Sequence, residues 1–187
     1  MVLAALSVGE KVTAKVTFFL VCSERLGMQF YTVTDNYIAY LKNIDANVPD
    51  NYFGKRPYVG IALEVGEHKY LAPLTSYKPK QDRLHPSNQT IFKIHEKGNE
   101  LNKLGLIHLN NMIPVIQSEI ATIDFSQQPK HYENLLTKQF AFVKSNQDAI
   151  KKRASTLHQL VTVDKHQFFC SISCDFLKLE SLYKNFQ

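Results

Sequence analysis

Pro57-Tyr58-Val59-Gly60-Ile61-Ala62-Leu63-Glu64-Val65, then Gly66-Glu67, then His68-Lys69-Tyr70-Leu71-Ala72-Pro73-Leu74-Thr75, is the stretch that decides the fold. The first run is almost continuously apolar, which marks a central strand covered on both faces. Gly66-Glu67 supplies a tight turn, and the chain returns as a second strand. A hairpin of this kind commits the sheet to antiparallel pairing.

The flanks extend the pattern. Residues 29–33 read as a strand. Thr34 or Asp35 caps a helix whose face carries Tyr37, Ile38, Leu41 and Ile44. Residues 45–56 form a loop rich in Asn, Asp, Pro and Gly. Beyond the hairpin, residues 76–89 are a polar, basic loop, 90–95 a strand and 97–99 a turn. Short apolar runs at 104–109 and 112–116 are separated by Asn110-Asn111, and Pro114 interrupts the second. Residues 120–123 add a last strand. From Pro129 the period lengthens to that of a helix, with Tyr132, Leu135, Leu136, Gln139, Phe140 and Val143 on one face. A second helix spans about 147–161, and a third begins near Asp175 and carries Phe176, Leu179 and Tyr183. Strands come first and helices mostly last. That order predicts an α+β fold with an antiparallel sheet, as one domain over residues 28–187.

Residues 1–27 look unlike the rest and are read as an N-terminal extension, with Met28 as the working start. The competing reading is a genuine N-terminal strand. The apolar run at 16–22, preceded by Lys11 and Lys15, imitates a secretion signal, but no small-x-small cleavage site follows it. It also falls far short of the ~20 apolar residues of a membrane helix. Cys22, Cys170 and Cys174 are the cysteines, and the last two lack zinc-site spacing. An odd cysteine count without a framework suits a reducing compartment, so a cytoplasmic protein is expected. The formal charge of +5 favours an anionic partner. With no Trp, any base stacking falls to Tyr, Phe, His or Arg.

Leu74-Thr75-Ser76-Tyr77-Lys78-Pro79-Lys80-Gln81 places two hydroxyls at a strand end and two lysines around a proline. Positive charge beside fixed hydroxyl donors suits a phosphate whose charge grows in a transition state. The competing reading is a basic surface turn. The histidines form no HxH or HExxH pair, and no P-loop or dinucleotide fingerprint is present, so neither metal nor cofactor is assigned. Ser76 lacks the GxSxG elbow of a hydrolase. It need not be a nucleophile, because RNA carries its own in the 2′-hydroxyl. Tyr52-Phe53-Gly54-Lys55-Arg56-Pro57 supplies a second set of suitable groups. If the hairpin forms, its open end brings Arg56 close to Thr75 and Ser76. Tyr52, Lys55, Arg56, Thr75, Ser76, Lys78 and Lys80 then converge on one edge. The helical cluster Lys151-Lys152-Arg153 is a second candidate RNA contact, with a solvated helix face as its competing reading.

From Met28 onward the chain resembles the ToxN/AbiQ family, endoribonuclease toxins of type III toxin–antitoxin and phage abortive infection systems. The resemblance rests on Phe30-Tyr31-Thr32, Tyr37-Ile38-Ala39-Tyr40-Leu41, Gly54-Lys55-Arg56-Pro57-Tyr58-Val59-Gly60-Ile61 and Lys69-Tyr70-Leu71-Ala72-Pro73-Leu74-Thr75-Ser76. It continues through Phe92-Lys93-Ile94-His95, Leu104-Gly105-Leu106-Ile107 and Asn111-Met112-Ile113-Pro114-Val115. It implies a compact, strongly twisted antiparallel sheet flanked by helices, similar to the MazF/Kid toxin fold. It implies metal-independent, sequence-selective RNA cleavage to 2′,3′-cyclic phosphate and 5′-hydroxyl ends. The partners implied are target mRNA and a small repeat RNA antitoxin, folded as pseudoknots and bound in a closed protein–RNA assembly. The family's site pattern falls on Tyr52, Thr75, Ser76 and Lys78. Arg56 stands where relatives often have Lys, and Gln81 where many have His. Arg binds phosphate in a fork but is a poor proton donor or acceptor, so proton transfer falls to Lys55 or Lys78. Lys55, Lys80 and Arg83 are assigned to RNA binding. The rival reading is a non-catalytic RNA-binding module.

Overall fold

The computed structural model describes residues 28–187. The expected extension at 1–27, including the apolar run at 16–22, lies outside the described residues.

Strand β1 (Phe30–Val33) leads into helix α1 (Asp35–Ile44), with Thr34 as the cap accepting the Tyr37 N–H. Asp35 is spent elsewhere, as described below. The hairpin forms as the sequence predicts: β2 (Tyr58–Val65) turns at Gly66-Glu67 into β3 (His68–Ser76), with Val65 opposite His68. Its register shifts between Val59 and Leu63, then resumes with Tyr58 opposite Pro73. Strands β4 (Ile91–Glu96) and β5 (Asn99–His108) make a second hairpin, followed by the short β6 (Ile113–Pro114) and β7 (Ile120–Thr122). All pairings are antiparallel, in the order β4-β5-β3-β2-β1-β7, with β6 paired to β3.

Helices α2 (Lys130–Ser145) and α3 (Gln147–Thr162) cover the sheet, α2 against β4 and β5 and α3 against β2. Short helices α4 (Gln167–Ile172) and α5 (Phe176–Leu182) complete the chain. Phe30, Tyr37, Leu71, Ile107, Leu136, Leu157 and Phe176 belong to one continuous core. A buried polar knot fixes α5 to the sheet: Tyr70 Oη donates to Glu180 Oε1 at 2.6 Å, and His158 Nε2 meets the same oxygen at 2.9 Å. Asp175 caps α5 by accepting the Lys178 N–H.

Three elements depart from the sequence reading. Strand β5 starts at Asn99, five residues before the expected apolar run, because Asn99–Lys103 form a polar hairpin arm standing off the core. Helix α4 went unpredicted: it is one and a half turns long and buries no residue, so it carries no apolar stripe. On α2, Phe142 is buried while Phe140 is only half-buried, since Phe142 faces His95 and Phe92 on β4 and Phe140 meets Phe30 near the sheet edge.

Candidate active site

The open end of the first hairpin builds the site. Leu74 N–H donates to Pro57 O at 2.8 Å, so one step further along the register Arg56 comes beside Thr75. At that level β3 changes partner. Leu74 pairs with Ile107, Thr75 with Leu106 and Ser76 with Gly105. Gly105 is required for this approach: a Cβ there would lie 2.1 Å from the Thr75 carbonyl oxygen, and its φ is +150°. The backbone of Thr75 and Ser76 is therefore held against β5, just past the end of the pairing with β2.

Thr75 Oγ1 lies 3.1 Å from Nε2 of His108. Burial, and then the positive charge of Arg56, push the His108 pKa down to about 4. Its imidazole is neutral at physiological pH. Thr75, Lys78, Lys80, Gln81, Leu84, Leu106 and His108 line a cleft of about 310 Å³. Sequence reasoning missed His108. The signal was a lone histidine inside an apolar strand run, in step with Leu106 at the two-residue period, so that both face the cleft.

Gln81 sets the loop. It is buried, its Oε1 accepts the Lys78 N–H at 3.1 Å, and its Nε2 donates to the Ser76 carbonyl at 3.2 Å. The amide thus closes the turn between strand end and lysine through a one-turn 3₁₀ helix, Pro79–Arg83. Tyr77 Oη donates to Asp82 Oδ2 at 2.8 Å, and Lys103 Nζ reaches Oδ1 of the same carboxylate at 2.7 Å, bracing the loop from β5.

The second segment is a strained turn. Tyr52, Phe53 and Gly54 have successive φ values of +51°, +58° and +68°. Bulky residues rarely adopt this conformation, and it persists where the surroundings fix it. Here Asn51 Nδ2 donates to Val33 O at 2.6 Å and to Asp35 Oδ1 at 2.9 Å, and Gly54 N–H donates to the same Asp35 oxygen at 2.9 Å. Asp35 therefore anchors the turn to α1. Arg56 is buried at 9% exposure, with Nε donating to Asp50 O at 2.6 Å and its guanidinium 4.7 Å from the Tyr52 ring centre. Tyr52 and Phe53 remain 61% and 90% exposed.

The structure thus brings Thr75, Lys78 and Lys80 into one cleft, while Arg56, beneath the Tyr52 ring, comes beside Thr75 without lining that cleft. Ser76 is exposed at the strand end and does not line that cleft, because its side chain leaves β3 on the side opposite Thr75. Lys55 and Arg83 are exposed and lie outside the cleft lining. The cluster Lys151-Lys152-Arg153 requires a correction. Arg153 is not a freely solvated side chain: Nη1 donates to Pro86 O at 2.9 Å and Ile91 O at 3.0 Å, and its guanidinium lies 4.7 Å from the centre of the Phe92 ring. Lys151 and Lys152 are exposed. Among the described residues, no three His, Cys, Asp or Glu side chains gather closely enough to share a metal ion.

Residues 29–184 match the family described as toxin ToxN of type III toxin–antitoxin systems. The chain belongs to the ToxN family. It is 40% identical to the endoribonuclease ToxN of Pectobacterium atrosepticum over 85% of this chain and 94% of that protein. It is 32% identical to the endoribonuclease AbiQ of Lactococcus lactis subsp. lactis over 84% and 88% of the two chains. A ToxN-like chain solved in work on a processed non-coding RNA that regulates a bacterial antiviral system superposes with a TM-score of 0.78 at 40% identity, covering 85% of this chain and 99% of that one. The structure of AbiQ, a lactococcal anti-phage endoribonuclease of the type III class, gives a TM-score of 0.78 at 30% identity, over 84% and 96% of the chains. A third, from a study of selective toxin inhibition by a non-coding RNA pseudoknot, gives 0.74 at 32% identity, over 84% and 96%. Within this ToxN-family frame, the buried amide of Gln81 is a brace for the loop and offers no titrating proton.

Proposed function

We propose that this protein is an endoribonuclease toxin of a type III toxin–antitoxin system that defends against phage. The convergence of Thr75, Lys78 and Lys80 in one cleft beside Arg56, in a chain of the ToxN family, carries this reading. In the proposed reaction the 2′-oxygen of RNA attacks the adjacent phosphorus and the 5′-oxygen of the next nucleotide departs. The products are a 2′,3′-cyclic phosphate and a 5′-hydroxyl. The 2′-hydroxyl gives up its proton to solvent water, and one proton is delivered to the departing oxygen. Lys78, which lines the cleft, delivers it. Lys78 and Arg56 offset the charge that develops on the phosphorane, and Thr75 donates a hydrogen bond to a non-bridging oxygen. Ser76, whose side chain leaves the strand end away from the cleft, contacts the RNA backbone beside the scissile nucleotide. Tyr52 stacks a base on the ring face turned away from Arg56. Lys55, Lys80 and Arg83 hold neighbouring phosphates.

The same cleft receives the inhibitor, a small repeat RNA folded as a pseudoknot, in a closed protein–RNA assembly. Antitoxin and target mRNA therefore compete, and the toxin processes the repeat precursor itself. The place of action is the cytoplasm; among the described residues, no helix is long and apolar enough to cross a membrane.

The test compares the full chain with its Lys78→Ala variant on mixed A-rich RNA in EDTA, with chemical mapping of the fragment ends. Cyclic-phosphate and 5′-hydroxyl ends from the unmutated protein alone support the reading. RNA that stays intact with both proteins despite tight binding identifies a non-catalytic RNA-binding module.

A further inference from the structure

His108 is a half-buried, neutral imidazole in contact with the Thr75 hydroxyl, and the proposed reaction does not use it. A core histidine satisfied by a passing threonine is the plain alternative. Two features of its placement argue for more. Thr75 carries the one side-chain hydroxyl among the residues that line the cleft, and its proton is useful there only if it points into the cleft. A hydroxyl can donate in that direction while its oxygen accepts from behind. His108 Nε2, at 3.1 Å, is the group that can supply such a bond. The charge of Arg56 bears on the imidazole as well, which disfavours a second cation so close to it.

Resting on the cleavage reading above, we propose that His108 is a positioning residue: its Nε2–H donates to Thr75 Oγ1 and thereby aims the Thr75 proton at the scissile phosphate. The chain of donors runs His108, Thr75, phosphate oxygen. Each bond polarises the next, and the arrangement is fixed before substrate arrives. His108 exchanges no proton in the reaction. It selects which of the two directions the threonine hydroxyl adopts. Neutrality is what suits it to the task, since it holds Thr75 without adding charge beside Arg56.

The experiment is a cleavage assay on the full chain with His108→Ala, His108→Gln, Thr75→Val and the Thr75→Val/His108→Ala double variant. His108→Ala is expected to lower kcat about 10- to 100-fold with KM changed less than about 2-fold, because the bond matters as charge develops. His108→Gln, whose amide can reach Thr75, recovers part of that loss. Adding His108→Ala to Thr75→Val costs less than about 2-fold more, since the group it acts through is already gone. Full kcat in folded His108→Ala, or additive losses in the double variant, overturns the proposal.

Should His108→Ala fail to fold, nitrogen NMR of the imidazole in the unmutated chain decides. The Nε2–H tautomer at neutral pH, altered by Thr75→Val, supports it; the Nδ1–H tautomer, or indifference to Thr75→Val, overturns it. An unmutated chain that cleaves nothing sinks the functional reading separately, and the tautomer still reports whether the hydrogen bond exists.

Discussion

Two lysine-and-arginine clusters, Lys78–Arg83 after β3 and Lys151–Arg153 on α3, look equivalent in sequence and are opposite in structure. In the first, Lys78 and Lys80 face a cleft shared with Thr75 and His108, and the loop that carries them is closed by a buried amide. In the second, the arginine is consumed by the fold: it ties α3 to the carbonyls of Pro86 and Ile91 and covers the Phe92 ring. Its neighbours Lys151 and Lys152 are left in solvent. Charge alone does not make a phosphate site. Lys151 and Lys152 also border a hollow with the Ser155 hydroxyl, but there the Glu64 carboxylate opposes an anion, whereas among the described residues no carboxylate lines the cleft of Thr75, Lys78 and Lys80.

The sharpest way to break this contrast is paired charge removal. Lys78→Ala is expected to lower kcat for RNA cleavage about 10²- to 10³-fold, the size seen when a donor aimed at transition-state charge is removed. Lys151→Ala combined with Lys152→Ala should leave kcat within about 2-fold, since exposed helix charges contribute chiefly to long-range attraction. Equal losses from both, measured under single-turnover conditions, would show that the α3 face also meets the substrate.

The converse effect is expected at Arg153. Arg153→Ala leaves the carbonyls of Pro86 and Ile91 without their donor and uncovers Phe92. A loss of about 2 kcal/mol in unfolding free energy follows from unmet, partly buried polar groups. Urea denaturation reads this directly, and kcat in the folded variant should stay near that of the parent. A stable Arg153→Ala protein that no longer cleaves would reverse the roles assigned to the two clusters.

The third effect concerns pH. His108 titrates near pH 4 in the folded protein against 6.5 ordinarily. A histidine with a lowered folded pKa is protonated more readily in the unfolded chain. Its contribution to stability is therefore complete above the ordinary value and is lost as pH falls from about 6.5 towards 4. The full shift sets an upper bound, and with partial exposure about 2 kcal/mol is expected over that window. His108→Asn should flatten the pH dependence of stability between those values relative to the parent. Parallel curves for the two proteins would show that His108 is not held neutral by its surroundings.

Much of this arrangement was legible before the structure. The apolar run of β2, the Gly66-Glu67 turn and the hydroxyls of Thr75-Ser76 predict a hairpin whose open end gathers Arg56 and Thr75, and the register delivers that meeting. What stayed hidden has physical causes. Strand alternation separates the Thr75 and Ser76 side chains, a consequence of where β3 ends rather than of which residues it contains. Arg153 is as polar as Lys151 and Lys152, and only the position of the loop before β4 decides that it binds carbonyls. His108 sits two residues past Leu106, and its importance depends on a partner strand 33 residues away in the chain. The strain at Tyr52 and Phe53 is invisible in composition because glycine or asparagine is the usual sign of such a backbone.

That strain supplies the finest contrast, because α3 is regular while the turn that precedes Arg56 is not. Phe53 has φ of +58° and is 90% exposed, so its ring contributes little burial to offset its backbone cost. Glycine relieves a penalty of about 1–2 kcal/mol for an L-residue in this region. It also loosens the unfolded chain by about 0.5–1 kcal/mol, which works against the gain. Phe53→Gly should thus raise stability by roughly half a kcal/mol, seen as a small upward shift in Tm. If the exposed ring is retained because it meets a base beside the scissile phosphate, the same variant should bind RNA more weakly while melting higher. A variant that melts higher and binds as tightly as the parent would mean that Asn51 and Asp35 hold the turn for Arg56 alone, with Phe53 carried along in it.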